Sequence, residues 1–224
     1  CAIQSLSLSK TAFDCSNVGA NTVTLTATDA SANSKTATAT VTVMDTISPM
    51  VATQNITVSL DANGAASITA ADIDNGSSDN CGNVSLGLDN TSFNCNNLGS
   101  NTVTLTVTDD CNNSDVCNAT ITVEDNIQPS ISCVNYPTPF STDEGECFST
   151  IAFTVPTVDD NCTVAELKAK IFDANTNAVI TNWTTNPNGQ FDPGDYKIRW
   201  RVKDQSGNKR TCNKLFSVVD DELP

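Results

Sequence analysis

Residues 99–129 read GSNTVTLTVTDDCNNSDVCNATITVEDNIQP. Val103, Leu105 and Val107 alternate with Thr102, Thr104, Thr106 and Thr108, and Ile121 and Val123 resume the alternation after a run rich in Asp and Asn. A period of two with Thr on the wet side predicts strands that each bury one face, and the Asp/Asn run between them predicts a hairpin turn. The stretch is not unique in the chain. NTVTLT stands at residues 21–26 and again at 101–106, and Cys1 falls on Cys81, Cys15 on Cys95, Gly19 on Gly99, Asp29 on Asp109, Asp45 on Asp125 and Pro49 on Pro129, an offset of 80 throughout. Such a period filled with short strands marks small domains joined end to end.

The same alternation occurs at Ile56, Val58 and Leu60 and at Val84, Leu86 and Leu88. Helical spacing is nearly absent. Residues 164–170 alone lean that way, and their short length fits a strand or a single turn equally well. An acid four residues ahead of a proline, Asp45 to Pro49, Asp125 to Pro129 and Asp220 to Pro224, marks each boundary, because proline ends a strand and stiffens the crossing. The expected units are 1–48, 49–128 and 129–224. Asp109 to Asp204 gives an offset of 95, so the third unit carries extra residues, placed between Asp173 and Asn188. The first unit lacks a counterpart of the residues between Asp45 and Cys81. Half a sandwich exposes strand edges and half a core, so its missing strands are expected from a longer chain or from a neighbour.

The formal charge of −15, from 26 acids and 11 Lys or Arg, argues against nucleic acid and for attraction to cations. Residues 1–132 hold only Lys10 and Lys35 as bases, and the other nine Lys and Arg follow in residues 133–224. Ten Cys and no His fit disulfides in an extracellular or cell-surface setting better than zinc. Domains of about 80 residues have small cores and gain from such cross-links. No apolar run reaches the ~18 residues of a membrane span, and a secretion signal is expected outside these residues.

Residues 191–220, FDPGDYKIRWRVKDQSGNKRTCNKLFSVVD, resemble the C-terminal half of hyalin repeat (HYR) domains: a Phe and a Pro-Gly turn, a strand ending in Asp, a Ser-Gly-Asn hairpin, and a Cys ahead of an apolar strand ending in Asp. The resemblance extends back to Cys133, Cys147 and the Asp-Asn-Cys at residues 160–162. The first two units resemble relatives of the same fold found in tandem in very large secreted proteins of gliding and biofilm-forming bacteria. They depart from the hyalin pattern in lacking the Pro-Gly turn, Trp and Tyr. The resemblance implies an all-β chain of tandem immunoglobulin-like β-sandwiches in an extended array, used for adhesion or spacing, with no catalytic residues to carry over. Independently, the order D-P-G-D-Y at residues 192–196 is that of a tyrosine corner, with Tyr196 bonding backbone upstream. Tyr196, Ile198, Trp200 and Val202 are then expected in the core, leaving Lys197, Arg199, Arg201 and Lys203 as an outward stripe.

The recurrence of Cys1/Cys15 as Cys81/Cys95 predicts that each pair closes a loop within its own unit, worth roughly 3 kcal/mol for ~15 residues. Cys111 and Cys117 replace Ser31 and Ala37 together and are expected to pair across their hairpin. In the hyalin-like unit, Cys133 and Cys212 occupy strands that lie side by side in such folds, which leaves Cys147 with Cys162; the alternative, Cys133–Cys147 with Cys162–Cys212, stays open. A lipidated Cys1 is a rival reading of that residue.

Acidic loops are the candidate sites. At one pole of the second unit stand Asp72, Asp74, Asp79, Asp109, Asp110 and Asp115, with Asp45 entering from the junction; at that of the third stand Asp159, Asp160 and Asp204, with Glu124 and Asp125 entering. Asp and Asn in such loops serve as turn formers and solubilising charges. Converging carboxylates also suit calcium, which takes six to eight oxygens, and the junction ligands are then Asp45, Asp109, Asp110, Asp125, Asp159 and Asp160. Asp45-Thr46-Ile47 resembles the Asp-Thr-apolar context in which some of these bacteria attach glycans to Thr, and the resemblance implies a candidate glycan on Thr46. Trp183, Trp200, Tyr136 and Tyr196 raise a carbohydrate platform, weighed against core roles.

No nucleophile-and-base constellation stands out, so an enzyme is not expected. Three roles follow: a stalk segment of a large extracellular adhesin or surface fibre, its partners being neighbouring repeats, identical subunits or surface glycans; a filament subunit completed by a neighbour's strands; or an accessory glycan-binding module of a secreted enzyme.

Overall fold

The computed structural model describes residues 2–222. Cys1, and with it the expected Cys1–Cys15 bond, lies outside them. The fold is all-β and immunoglobulin-like, with 3-10 turns and the four-residue helix Ala70–Ile73 as its described helical elements. Thr69 and Asp72 close that helix's first turn reciprocally, the Thr69 N–H donating to Asp72 Oδ2 at 2.7 Å. The chain divides into two compact units, Cys1–Ile56 with Ile68–Thr91 and Ser100–Thr122, and Thr57–Ser67 with Ser92–Gly99 and Val123–Pro224.

In the first unit Ile3–Leu8, Gly19–Asp29 and Ser34–Val43 form an antiparallel sheet in that order, with Val23 opposite Ala39 and Leu25 opposite Ala37. One face stays open: Leu8, Phe13, Val23, Leu25, Ala39 and Val41 line an apolar groove of about 410 Å³. The matching residues one repeat later pack fully. Val103, Leu105 and Val107, on a strand whose ladder sets Leu86 against Val107, are 0 % exposed.

In the second unit a five-stranded sheet runs Phe140–Ser141, Lys209–Val219, Gly194–Asp204, Val164–Asp173, Val179–Thr184, its first pairing parallel. Residues 164–170 are thus extended, since packing in the middle of a sheet overrides a weak helical pattern. The extra residues of this region form a turn on Asp173, which accepts the N–H groups of Asn175 and Thr176, and then the edge strand Val179–Thr184.

The core holds Ile151, Phe153, Ala169, Ile171, Phe191, Ile198, Trp200 and Phe216. Phe153, Phe191 and Phe216 meet edge to face at centroid distances of 5.0–5.8 Å. The polar tips are satisfied: Trp200 Nε1 donates to Tyr136 Oη at 2.8 Å, and Tyr136 Oη donates to the Thr154 carbonyl at 3.0 Å. Tyr196 Oη donates to the Asp192 carbonyl at 2.9 Å, four residues upstream, which is the tyrosine corner. Trp200 and Tyr136 are therefore buried structural residues rather than a carbohydrate platform.

Disulfides join Cys15 to Cys81, Cys95 to Cys162 and Cys133 to Cys212, with Cα–Cα distances of 4.9, 5.5 and 5.9 Å. The first two replace the expected Cys81–Cys95 and Cys147–Cys162 bonds. Cys81 and Cys95 lie on either side of strands Val84–Leu88 and Ser92–Asn94, and each sulfur is taken by a Cys of a different repeat. Cys111, Cys117 and Cys147 carry free thiols. Cys111 lies in the hairpin turn, whereas Cys117 is inside strand Ser114–Glu124 with its sulfur 3.5 Å from Thr53 Oγ1, so the expected Cys111–Cys117 bond is not made.

Candidate metal centres at two carboxylate triads

Each candidate centre is assembled from three short motifs. The first is a hairpin of pattern Asp-x-x-x-Asn, present as Asp29–Asn33, Asp109–Asn113 and Asp204–Asn208. The Asp closes the turn on itself: Asp109 Oδ1 accepts the N–H groups of Cys111 and Asn113, both at 2.8 Å, and Asp204 Oδ1 accepts that of Asn208 at 2.8 Å. The turn needs a positive φ one residue before the Asn, which Ala32, Asn112 and Gly207 supply at 66°, 68° and 96°. The terminal Asn then reaches the incoming chain, Asn113 Nδ2 donating to the Asp45 carbonyl at 3.2 Å and Asn208 Nδ2 to the Asp125 carbonyl at 2.9 Å.

The second motif is that incoming Asp, whose Oδ1 accepts the N–H two residues on, from Ile47 or Ile127, at 3.1 Å in both cases. The third is Asp-Asn-Cys: Asp79 Oδ2 accepts the Cys81 N–H at 2.7 Å, and Asp160 Oδ2 that of Cys162 at 3.2 Å. The following Cys anchors this loop covalently, to Cys15 in one case and Cys95 in the other. Cys15 and Cys95 each open a 3-10 turn boxed by reciprocal bonds, Asp14 with Asn17 and Asn94 with Asn97. Beside the second disulfide Gly64, at φ 72°, leaves no room for a side chain, since a Cβ there would meet the Asn161 carbonyl oxygen at 2.6 Å and Cys95 Sγ at 2.7 Å.

The result is two triads, Asp45/Asp79/Asp109 in the first unit and Asp125/Asp160/Asp204 in the second, each with carboxylate oxygens within 4.8 Å of one another. Asp109, Asp125 and Asp204 are 6, 5 and 1 % exposed. Five of the six Asp spend one oxygen on their own loop and leave the other over, while Asp109 engages both, its Oδ2 accepting Asn113 Nδ2 at 2.8 Å. Asp45 Oδ2, Asp79 Oδ1, Asp125 Oδ2, Asp160 Oδ1 and Asp204 Oδ2 are buried without a hydrogen-bond partner, as is Asn161 Oδ1. Unit charges about 5 Å apart repel by roughly 3 kcal/mol in a protein-like dielectric, and buried acceptors without donors are costly. Burial, with the Asp125 and Asp204 charges beside it, pushes the Asp160 carboxyl above its ordinary range. Burial also opposes ionisation of Asp109, but the bonds from Asn113 and the turn N–H groups outweigh it and hold that carboxyl low. The Cys111 thiol, half-buried and facing Asp109 and Asp45, is pushed up by desolvation and by those charges, away from thiolate reactivity. A hard cation relieves all of this, and three carboxylates with room for carbonyl or water oxygens are the donor set calcium takes.

Four of the six expected ligands, Asp45, Asp109, Asp125 and Asp160, are in the triads, joined by Asp79 and Asp204. Asp110 and Asp159 are not. Asp110 Oδ2 turns to the Asn83 N–H at 3.2 Å, and Asp159 ends strand Thr157–Asp159, opposite Ser130. Adjacent residues in extended chain point to opposite sides, so only one of each Asp pair can face the cluster. Asp72, Asp74 and Asp115 bond within their own loops. Thr46 is exposed, directly after Asp45.

No protein-family model matches the sequence, and a search of curated proteins found no match. Among solved structures the chain resembles extracellular cadherin domains 1–4 of protocadherin gamma B3 (13 % identity, TM-score 0.39, 95 % of this chain and 60 % of that one). It also resembles immunoglobulin domains 1–4 of sidekick-1 (11 %, 0.41, 93 % and 60 %) and cadherin domains 1–3 of protocadherin gamma C5 (13 %, 0.40, 91 % and 78 %). The chain thus spans about 60 % of the length of the first of these.

Proposed function

We propose that this chain is a non-catalytic segment of an extracellular adhesin or surface fibre, a stalk of β-sandwich repeats that calcium stiffens at the two triads. The observation that carries the reading is the coincidence, twice over, of a disulfide between successive repeats and an acidic triad with buried, unpartnered oxygens: Cys81 follows Asp79 by two residues as Cys162 follows Asp160, and each bonds a Cys of the repeat before. Disulfides over such long loops suit an oxidising compartment. A covalent staple and a cation at one place both restrict bending there, which is what a spacer needs and a catalyst does not.

Calcium titration of the metal-depleted chain tests this directly. The thermal midpoint is expected to rise by several degrees and fall again with chelator, following the mass-action gain of about 2.7 kcal/mol at a hundredfold excess over Kd. A midpoint indifferent to calcium sinks the reading.

The open groove along Leu8, Phe13, Val23, Leu25 and Val41 favours a second reading, in which an apolar strand from another copy completes this sheet as in strand complementation. Light scattering across a hundredfold concentration range decides it: a monomer at every concentration removes strand exchange, and concentration-dependent chains support it.

A further inference from the structure

The outward face of the five-stranded sheet is a lattice of positive charge. On the ladder between Val164–Asp173 and Gly194–Asp204, Lys168 stands opposite Arg201, Lys170 opposite Arg199, Phe172 opposite Lys197 and Glu166 opposite Lys203. On the other flank Lys203 faces Lys209. These side chains point away from the core because Ala169, Ile171, Ile198 and Val202, which alternate with them, are 0 % exposed. Glu166 alone among these paired residues is acidic, and it bonds Lys168 at 2.7 Å and Arg201 at 2.6 Å.

Like charges directly opposite on a ladder oppose folding, and the scaffold does not need them. With the offset of 95, Lys197, Arg199, Arg201 and Lys203 fall on Thr102, Thr104, Thr106 and Thr108, and the repeat before has Thr22, Thr24, Thr26 and Thr28. Three versions of one strand thus carry the same apolar face, and a single version exchanges all four outward Thr for cations.

Aromatic rings lie against three of those four cations and against Lys170 beside them. The Phe172 ring lies 5.4 Å from Lys170 Nζ, 5.2 Å from Lys197 Nζ and 5.2 Å from the Arg199 guanidinium; the Trp183 ring lies 4.2 Å from that of Arg201. Lys197 Nζ also bonds Asn177 Oδ1, and Arg199 Nε bonds Asn213 Oδ1 at 2.8 Å. Alternate residues along a strand are about 7 Å apart and neighbouring strands about 4.8 Å, so the four β-strand cations Lys197 to Lys203 make a row roughly 20 Å long with a second row beside it.

We infer that this face binds an extended anionic polysaccharide, its sulfate or carboxylate groups lying along the rows of Lys and Arg. A chain of −15 that concentrates its cations on one sheet face presents a strong local field to a polyanion while its other surfaces repel it. The acidic repeats of a second copy match the face poorly, because Asp29, Asp61, Asp74 and Asp109 sit in turns and accept the N–H groups of their own loops rather than forming a row.

The probes are dextran sulfate, polygalacturonate and, as the uncharged control, dextran, each presented to the whole chain in calorimetry at low and at 0.3 M salt. Wild type is expected to bind the charged polymers, more weakly in high salt, and to leave dextran unbound. The variant K197T/R199T/R201T/K203T is expected to lose at least tenfold in affinity with its β-sheet circular dichroism intact. K10T/K35T, which removes cations from elsewhere, is expected to bind as wild type does. Equal affinity of the fourfold Thr variant and wild type overturns the inference, as does binding of dextran alone. Self-association abolished in the Thr variant without any polymer binding overturns it too, by making the face an interface between copies. If the fourfold variant unfolds, R199T/R201T is measured in its place, with a loss of at least threefold expected and an unchanged affinity overturning the inference. Calcium plays no part in this result, so it stands apart from the outcome of the metal titration.

Discussion

The two carboxylate triads are built from the same three motifs and differ in one bond. At Asp45/Asp79/Asp109 the hairpin Asn113 amide spans both partners, donating to the Asp45 carbonyl and, at 2.8 Å, to Asp109 Oδ2, so one oxygen of the set is already engaged. At Asp125/Asp160/Asp204 the Asn208 amide bonds the Asp125 carbonyl, and Asp204 Oδ2 is left bare in a residue 1 % exposed. Asn161 adds a further uncommitted oxygen there while its Nδ2 donates to Asp125 Oδ1 at 3.2 Å. Identical motifs therefore yield sites of unequal hunger for a cation, and the second should bind more tightly.

The largest expected effect comes from breaking the staple beside that site. Replacing Cys95 and Cys162 with Ser reopens a loop with a sequence separation of 67, which the chain-entropy estimate values at about 4 kcal/mol. Urea unfolding measures it, and a change below about 1 kcal/mol would show that the bond does not restrain the denatured chain.

Next is Asp204→Asn. Without calcium it relieves repulsion and is expected to leave stability unchanged or raised; with calcium it should forfeit the tighter step of the titration. Asp79→Asn should remove only the weaker step, and loss of the same step in both variants contradicts two separate sites. Asn113→Ala sharpens the contrast further by freeing Asp109 Oδ2, so that calcium affinity at the first site moves toward the second, at a cost of about 1 kcal/mol for the lost hairpin bonds.

Smallest is a control that belongs to neither triad. The side-chain bonds from Lys168 and Arg201 lower the Glu166 carboxyl from 4.5 to about 2. A depressed carboxylate stabilises the fold above its ordinary value and loses that contribution as pH falls from 4.5 toward 2. Its carbon-13 titration should show that midpoint with or without calcium, whereas a midpoint near 4.5 would mean the ion pairs do not persist in solution.

The sequence disclosed the buried faces well, because Val, Leu and Ile at every second position can satisfy only a strand with one wet side. Tyr196 was legible for a similar reason, its corner being set by five consecutive residues. The disulfides were misread because repetition alone cannot tell a bond within a repeat from a bond to the next. Cys15 recurs as Cys95 under both patterns, and the one faint signal is that Cys15 to Cys81 and Cys95 to Cys162 have nearly equal separations of 66 and 67. The ligands were half legible. Asp109 next to Asp110 and Asp159 next to Asp160 are chemically alike, and the direction of a single Cα–Cβ bond selects between them.

The staples also decide where a mechanical load would travel. If the chain is pulled from its two ends, tension reaching Cys15 leaves the backbone, crosses sulfur to Cys81, runs to Cys95 and crosses again to Cys162. The first crossing withholds a loop that would otherwise release roughly 230 Å of extended chain. That slack loop contains Asp45 and Asp79, whereas the Cys133–Cys212 bond ties part of the second loop into the path of the load. A thiol reductant would thus act as the release catch on the hidden length of the first loop.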